Sequence, residues 1–355
     1  MDKFTFLFVL IYHRGKRYVN AIALRRTVTI KLTGVEAEMN IVAITGMDLT
    51  VMQEQMPQDL KERCQFHWFQ SSNGAEEHVA EADVIITAGR INPDLMKLAS
   101  KLKWMQTLSA GVDKLPLQEL AERDIPLTNA RGVHTIQMSE FTLSLMLQWV
   151  RKANLLHEQK LNKIWNHEIQ VGELHGKTLG IIGAGAIGEA VARKAKAFDM
   201  KVIGLNRSGE PQPSFDSTVS GEEGLNALLS QSDFIVLLLP STAKTRGFIT
   251  KEHLALMKPS ALLINLARGD VIDEAALITA LQEGKLAGAA LDVFEQEPLP
   301  AASPLWQLDN VILTPHIAGA SAHYTERVST IFYHNLRAFL DGGEMINVVN
   351  LKEGY

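Results

Sequence analysis

Cysteine is almost missing from this chain of 355 residues: Cys64 is the only one, so no internal disulfide can form, which fits a reducing compartment and an expected cytoplasmic location. Long hydrophobic runs are missing too, and no apolar stretch approaches the roughly 18 residues a membrane-spanning helix needs. There is no basic excess, and a formal net charge of -5 argues against a nucleic-acid partner. No clustered His, Cys and carboxylate spacing marks a metal site. What remains is 46% hydrophobic and 21% charged, ordinary for a globular protein and long enough for two domains.

The most informative stretch is Leu179-Gly180-Ile181-Ile182-Gly183-Ala184-Gly185-Ala186-Ile187-Gly188, which reads as a buried strand, a tight turn and the start of an Ala-rich helix. Gly183 permits the turn, Gly185 lets backbone approach a pyrophosphate, and Gly188 lets helix pack on strand. The free N–H groups at the helix start, those of Ala186, Ile187 and Gly188, face the phosphates. A second strand, Lys201 to Leu205, follows where a βαβ unit requires one. It ends at Asn206, with Arg207 and Ser208 next. A ribose 2′-hydroxyl wants an acidic partner there and a 2′-phosphate wants cations and hydroxyls, so NADP(H) is favoured over NAD(H). An Arg in an ordinary solvated turn is the competing reading.

Residues 1–38 do not match the rest, with an apolar patch from Phe4 to Tyr12 and then a basic segment. A signal peptide ending near Ala21-Ile22-Ala23 is one reading, but charges interrupt it. The stretch is instead expected to be a poorly ordered extension, or an upstream start that is not used. Met39 then opens a small parallel α/β unit. Its turn Ser109-Ala110-Gly111-Val112-Asp113 could hold a carboxylate on backbone amides. A long amphipathic helix over Ser139 to Asn154 leads towards the glycine motif, and Lys152 to Glu173 could be an arm on a partner subunit.

Beyond the βαβ unit, apolar strands end in conspicuous residues: Pro240-Ser241-Thr242, Ala267-Arg268-Gly269, Asp292 and Pro315-His316. In an open α/β sheet, ligands bind beyond the carboxyl ends of the strands, so these residues converge on one crevice. A final helix over Ser321 to Leu340 returns to the first domain.

Reducing a 2-oxo acid takes a cation for the carboxylate, a proton donor for the carbonyl oxygen and a partner for the donor. Arg268, His316 and Glu297 supply that set. Arg forks both carboxylate oxygens, and imidazole, with an ordinary pKa of about 6.5, exchanges protons near neutrality. Singly, each has a plainer reading: a surface pair, a core histidine, a solvated loop carboxylate. Together, following strands of one sheet downstream of a cofactor motif, they point to catalysis. His134, in Gly132-Val133-His134-Thr135 at the domain junction, is the nearest competing histidine.

These blocks, with Asn265 to Gly269, Ala290 to Glu295, Glu297-Pro298-Leu299 and Leu313 to Gly319, resemble the D-isomer-specific 2-hydroxyacid dehydrogenase family from Met39 to near the end. The resemblance implies an α/β fold in which a Rossmann domain, residues 139–317, is inserted in a smaller flavodoxin-like substrate domain of residues 39–138 and 318–355. It implies an NAD(P)H-dependent reaction between a small 2-oxo acid and its D-2-hydroxy acid, and a homodimer formed through the Rossmann side. It also implies that Arg268 binds substrate, that His316 is the acid and base with Glu297 as partner, and that Ala110 and Gly111 hold substrate. Pro240, Thr242, Ala267 and Asp292 border the cofactor, Asp292 at the nicotinamide. The Asn206 pattern is similar to the NADPH-preferring glyoxylate and hydroxypyruvate reductases. D-3-phosphoglycerate dehydrogenase is the alternative, with Arg90 the one nearby cation for a phosphate. Formate dehydrogenase fits less well, because it resembles a chain with Gln in place of Glu297. A dinucleotide-sensing scaffold of the corepressor kind is the alternative of another class.

Overall fold

Two parallel sheets, built from separate stretches of a chain that passes between them twice, organise the protein. The computed structural model describes residues 39–354, together with the backbone of β1 (Leu7–His13), β2 (Lys16–Ala23) and β3 (Arg26–Lys31), which pair as an antiparallel meander. The expectation of a poorly ordered extension over residues 1–38 falls on a stretch whose side chains and connecting residues lie outside those described.

The first sheet holds β4 (Met39–Ile44), β5 (Cys64–Phe69), β6 (Val84–Thr87), β7 (Trp104–Thr107) and β8 (Leu127–Thr128) in the order β5-β4-β6-β7-β8, all parallel. Five short helices fill its connections: α1 (Thr50–Glu54), α2 (Gln58–Arg63), α3 (Glu76–Ala80), α4 (Pro93–Leu98) and α5 (Leu117–Glu122). All four residues of β6 and of β7 are buried, as a parallel sheet covered on both faces demands. β5 was not anticipated. It is an edge strand in which Gln65 and His67 interrupt the apolar residues, so no run announces it.

Beyond β8 come α6 (Thr135–Val150) and α7 (Ala153–Leu161). The helix expected over Ser139 to Asn154 begins four residues earlier and ends at Val150. Ser139 is not a start signal, because its hydroxyl donates back to the Ile136 carbonyl at 2.8 Å from a fully buried position. None of α7 is buried.

The second sheet holds β9 (Thr178–Ile182), β10 (Lys201–Leu205), β11 (Ser217–Val219), β12 (Phe234–Leu237), β13 (Leu262–Asn265), β14 (Gly288–Leu291) and β15 (Val311–Leu313). They are all parallel, in the order β11-β10-β9-β12-β13-β14-β15. Packed around them are α8 (Ala186–Lys196), α9 (Gly221–Gln231), α10 (Lys251–Leu256) and α11 (Glu274–Gln282), and a separate apolar cluster fills each face. This is the doubly wound Rossmann arrangement. α6 lies along α8 and sets the Trp149 ring where a Cβ on Gly288 would collide with it.

The last helix, α12 (Tyr324–Asp341), returns to the first sheet, three residues later than its expected start. Its Val328, Phe332 and Leu336 share one buried cluster with Ile41 and Trp104, which makes the first unit discontinuous in sequence. Trp104 stacks 6.0 Å from the Phe332 ring and donates its indole N–H to Thr128 at 2.8 Å. Among the described residues no helix is long and apolar enough to cross a membrane.

Candidate active site

β9 has β10 on one side and β12 on the other, so chain order reverses there and leaves a crevice at the strand ends. The glycine turn sits at that point. Gly183 has φ +109°, a conformation open to glycine, and a Cβ on Gly188 would collide with the Gly183 carbonyl. Gly185 caps α8 without a side chain, and a Cβ built there would meet nothing within 4 Å. An open glycine beside the unpaired amides of Ala186, Ile187 and Gly188 is a cradle that fits a dinucleotide pyrophosphate.

At the end of β10 the Asn206 side chain turns inward to close its own loop. Its Oδ1 accepts the Ser208 and Gly209 amides at 3.1 and 2.6 Å, and its Nδ2 donates to the Glu210 carbonyl at 3.0 Å. The side chain expected to face a ribose is therefore occupied locally. Beyond β12, the Pro240 carbonyl accepts from Thr245 at 2.5 Å, Thr242 packs on the same hydroxyl at 3.0 Å, and Ser241 donates to Asp270 at 2.7 Å.

The strand ends of β13, β14 and β15 carry the charged groups. Asn265 bridges its own turn, accepting from the Ala267 amide and donating to the Arg268 carbonyl, both at 3.0 Å. Gly269 follows because a Cβ there would collide with the backbone of Phe294. The Arg268 guanidinium donates to the Ala267 carbonyl at 2.8 Å and reaches across to the first sheet, where it lies 3.4 Å from the Asp113 carboxylate. A Cβ on Gly111 would collide with the same guanidinium. The turn after β7 and the turn after β13, far apart in sequence, thus meet in space. Ala110 is fixed there by Asn129, whose amide donates to its carbonyl at 2.9 Å.

His316 Nδ1 lies 2.8 Å from Glu297 Oε2, and the other carboxylate oxygen accepts the Phe294 amide at 3.2 Å. The His316 backbone is left-handed, φ +54°, which costs a non-glycine residue about 1–2 kcal/mol. Asp292, only 1% exposed, holds it there. Its carboxylate accepts from the Thr314 hydroxyl at 2.6 Å and from the amides of Ile317 and Ala318 at 2.9 and 2.8 Å, while its carbonyl accepts the His316 amide at 2.8 Å. A mainly apolar cavity of about 680 Å³ opens beside the pair, walled by Phe294, Leu299 and Trp306.

The structure pairs His316 with Glu297 beside this cavity and sets the Arg268 guanidinium against Gly111 and Asp113, with the charges of Arg268 and His316 both felt at His134. Burial pushes the His134 imidazole below its ordinary range, the Gly319 carbonyl opposes this, and the charges of Arg268 and His316 add to the depression. Two contributors escaped the sequence reading. Asp113 was noted as part of its turn but carried no sign of an ion-pair partner 155 residues away, and Gln137 reads as an ordinary polar helix residue.

Sheet order, cradle and rim define the class: an α/β protein built to hold a dinucleotide at the switch point of one sheet with a second unit facing it. The family model for the NAD-binding domain of D-isomer specific 2-hydroxyacid dehydrogenases matches residues 143–318. A glyoxylate reductase of Thermofilum pendens is 38% identical over 74% of this chain and 79% of its own length. A D-3-phosphoglycerate dehydrogenase of Methanocaldococcus jannaschii is 38% identical over 78% of this chain, which spans 53% of that relative's length. Among solved structures, a D-isomer specific 2-hydroxyacid dehydrogenase family protein of Aeromonas salmonicida has a TM-score of 0.81 at 35% identity, covering 88% of this chain and 99% of that one. An NADPH-dependent glyoxylate/hydroxypyruvate reductase of Sinorhizobium meliloti, in complex with NADP and malonate, has a TM-score of 0.74 at 28% identity, covering 89% and 98%. The chain belongs to the D-isomer specific 2-hydroxyacid dehydrogenase family. It is an NAD(P)-dependent oxidoreductase.

Proposed function

We propose that the protein reduces a small 2-oxo acid of the glyoxylate or hydroxypyruvate kind to its D-2-hydroxy acid, with NADPH preferred over NADH. The observation that carries this reading is the 2.8 Å His316–Glu297 pair at the rim that Arg268 shares with Gly111. Arg268 takes the substrate carboxylate with its fork and steadies the carbonyl, and the amides of Ala110 and Gly111 complete the seat. Glu297 keeps the proton on His316 Nδ1, so Nε2 is the nitrogen that exchanges a proton with the substrate oxygen. The dinucleotide, when bound, supplies the hydride that reaches C2. Asp292 borders the nicotinamide and keeps the His316 loop in place, while Ala267, Pro240 and Thr242 line the approach to it. Burial holds the His134 imidazole below its ordinary range, which disfavours it as the acid. Closing the two units over the crevice excludes water and aligns the reacting atoms.

The experiment that tests the reading is NADPH oxidation followed with glyoxylate, hydroxypyruvate, pyruvate and phenylpyruvate. Turnover with a small member of the set is the expected result, and tight dinucleotide binding without turnover on any of them would count against it.

The preference for NADPH rests on the missing carboxylate after β10 and on Arg207 and Ser208 beside it. Arg207→Ala is expected to weaken NADPH binding roughly ten- to hundredfold while leaving NADH nearly unchanged, since a charge-assisted contact contributes roughly 1.5–3 kcal/mol. Fluorescence titration of both nucleotides checks this, and equal losses would return Arg207 to the solvated surface.

The proposal extends to a homodimer formed through the segment from α7 to Val171. That segment exposes Leu155, Leu156, Leu161 and Ile164, and Trp165 is 93% exposed, more apolar surface than an isolated arm sustains. Trp165→Asp is expected to shift the sedimenting species from dimer to monomer. A monomeric wild-type protein would refute this part of the reading.

A further inference from the structure

His134 and Gly319 lie on the two segments by which the chain passes between its sheets, one just before α6 and the other between β15 and α12. They touch. His134 Nδ1 is 3.3 Å from the Gly319 carbonyl, and a Cβ on Gly319 would lie 2.9 Å from that nitrogen, so this close approach requires glycine. A carbonyl only accepts, so a bond to it takes a proton on His134 Nδ1, while a bond from Gln137 Nε2, 3.3 Å from the same nitrogen, takes that nitrogen as acceptor.

The surroundings over-determine the arrangement. Gln137 donates to the same carbonyl at 3.1 Å, and Arg327 of α12 fixes the other end of that amide by donating to its oxygen at 2.7 Å. The Tyr324 ring lies 5.2 Å from the imidazole, and its hydroxyl donates to the Leu108 carbonyl at 2.5 Å, immediately before the Ser109–Asp113 turn. Burial raises the Tyr324 hydroxyl to about 12, so it remains a donor across the neutral range. One connected set of contacts therefore joins the substrate-side turn, both interunit crossings and the loop that carries His316. The charged and titratable groups acting on His134 are Arg268 and His316 from the rim, Tyr324 against its ring, and Arg327 through Gln137.

We propose that His134 is a positioning residue: it clamps the two crossings through the Gly319 carbonyl and so sets where the His316 loop stands relative to Arg268 when the units close. This rests on the oxidoreductase reading for its effect on rate but not for the clamp itself. A third positive charge at this point, beside Arg268 and a protonated His316, would push the rim apart, which is why a buried imidazole serves better than a lysine.

The test compares His134→Phe, which keeps a ring against Tyr324 but loses the donor, with His134→Asn, which keeps a short donor. Two readouts apply: the pH profile of NADPH oxidation, and amide hydrogen exchange of residues 316–320 in the substrate-free protein. In His134→Phe, with its thermal midpoint near that of wild type, exchange of that loop is expected to accelerate selectively. Its kcat is expected to fall roughly ten- to hundredfold, as for a misplaced catalytic group, with an altered alkaline limb and an unchanged nucleotide KM. His134→Asn is expected to restore most of both. Unchanged loop exchange in His134→Phe overturns the proposal, as does faster exchange with kcat within twofold of wild type. If wild type itself turns over no substrate, the oxidoreductase reading fails separately, and exchange alone decides the clamp.

Discussion

Replacing His316 with alanine is expected to lower kcat by a hundredfold or more while leaving the fold intact. A positioned acid contributes about 10²–10⁴ in rate, and the imidazole is paired to the Glu297 carboxylate at the rim. The side chain is half exposed, so truncation opens no core cavity, and Asp292 still ties the loop through Thr314, Ile317 and Ala318. Glu297→Gln should fall between wild type and His316→Ala, because the amide still contacts the ring but no longer supplies a charge. Steady-state kinetics beside a thermal melt checks both. A normal rate for His316→Ala would remove it from the chemistry.

Arg268→Met is expected to lower kcat/KM for the 2-oxo acid by roughly 10²–10³, in line with the 2–5 kcal/mol lost when one partner of a buried charge pair is removed. Nucleotide affinity should hardly move, since the guanidinium points away from the glycine cradle towards Asp113 and Gly111. Arg268→Lys should recover only part of the loss, because an ammonium offers a charge without the fork. An unchanged substrate KM in Arg268→Met would contradict a carboxylate-binding role.

The sequence discloses the parts of this molecule whose causes are local. The turn after β9 shows itself because only glycines satisfy a positive φ at Gly183 and the tight contact at Gly188, and because β9 and its neighbours, buried on both faces, read as apolar runs. Arg268, Asp292 and His316 could be grouped before any coordinates because each directly follows such a run, and strands of one parallel sheet end on one side. Glu297, in the loop after the same strand as Asp292, joins them as the carboxylate that a proton-exchanging imidazole wants for a partner.

The parts that were missed depend on distant partners. β5 and the three-residue β11 are edge strands in which polar residues break up the apolar ones. α6 begins four residues before Ser139, whose hydroxyl is spent within the helix. The Asp113–Arg268 contact and the Arg327–Gln137–Gly319 chain join residues more than a hundred positions apart, and no spacing rule encodes them. Asp292 shows the same limit in milder form: its position was legible, the three hydrogen bonds of its carboxylate to the His316 loop were not.

The central claim is that Arg268, His316 and Glu297 act together on a 2-oxo acid held against a nicotinamide. The most direct measurement is the fate of deuterium when NADPH labelled at C4 of its nicotinamide is consumed with glyoxylate or hydroxypyruvate. The account predicts label on C2 of the product, with hydroxypyruvate giving the D-isomer. Oxidised nucleotide with no label in the product, or label appearing at the same rate with the His316→Ala protein, would contradict it.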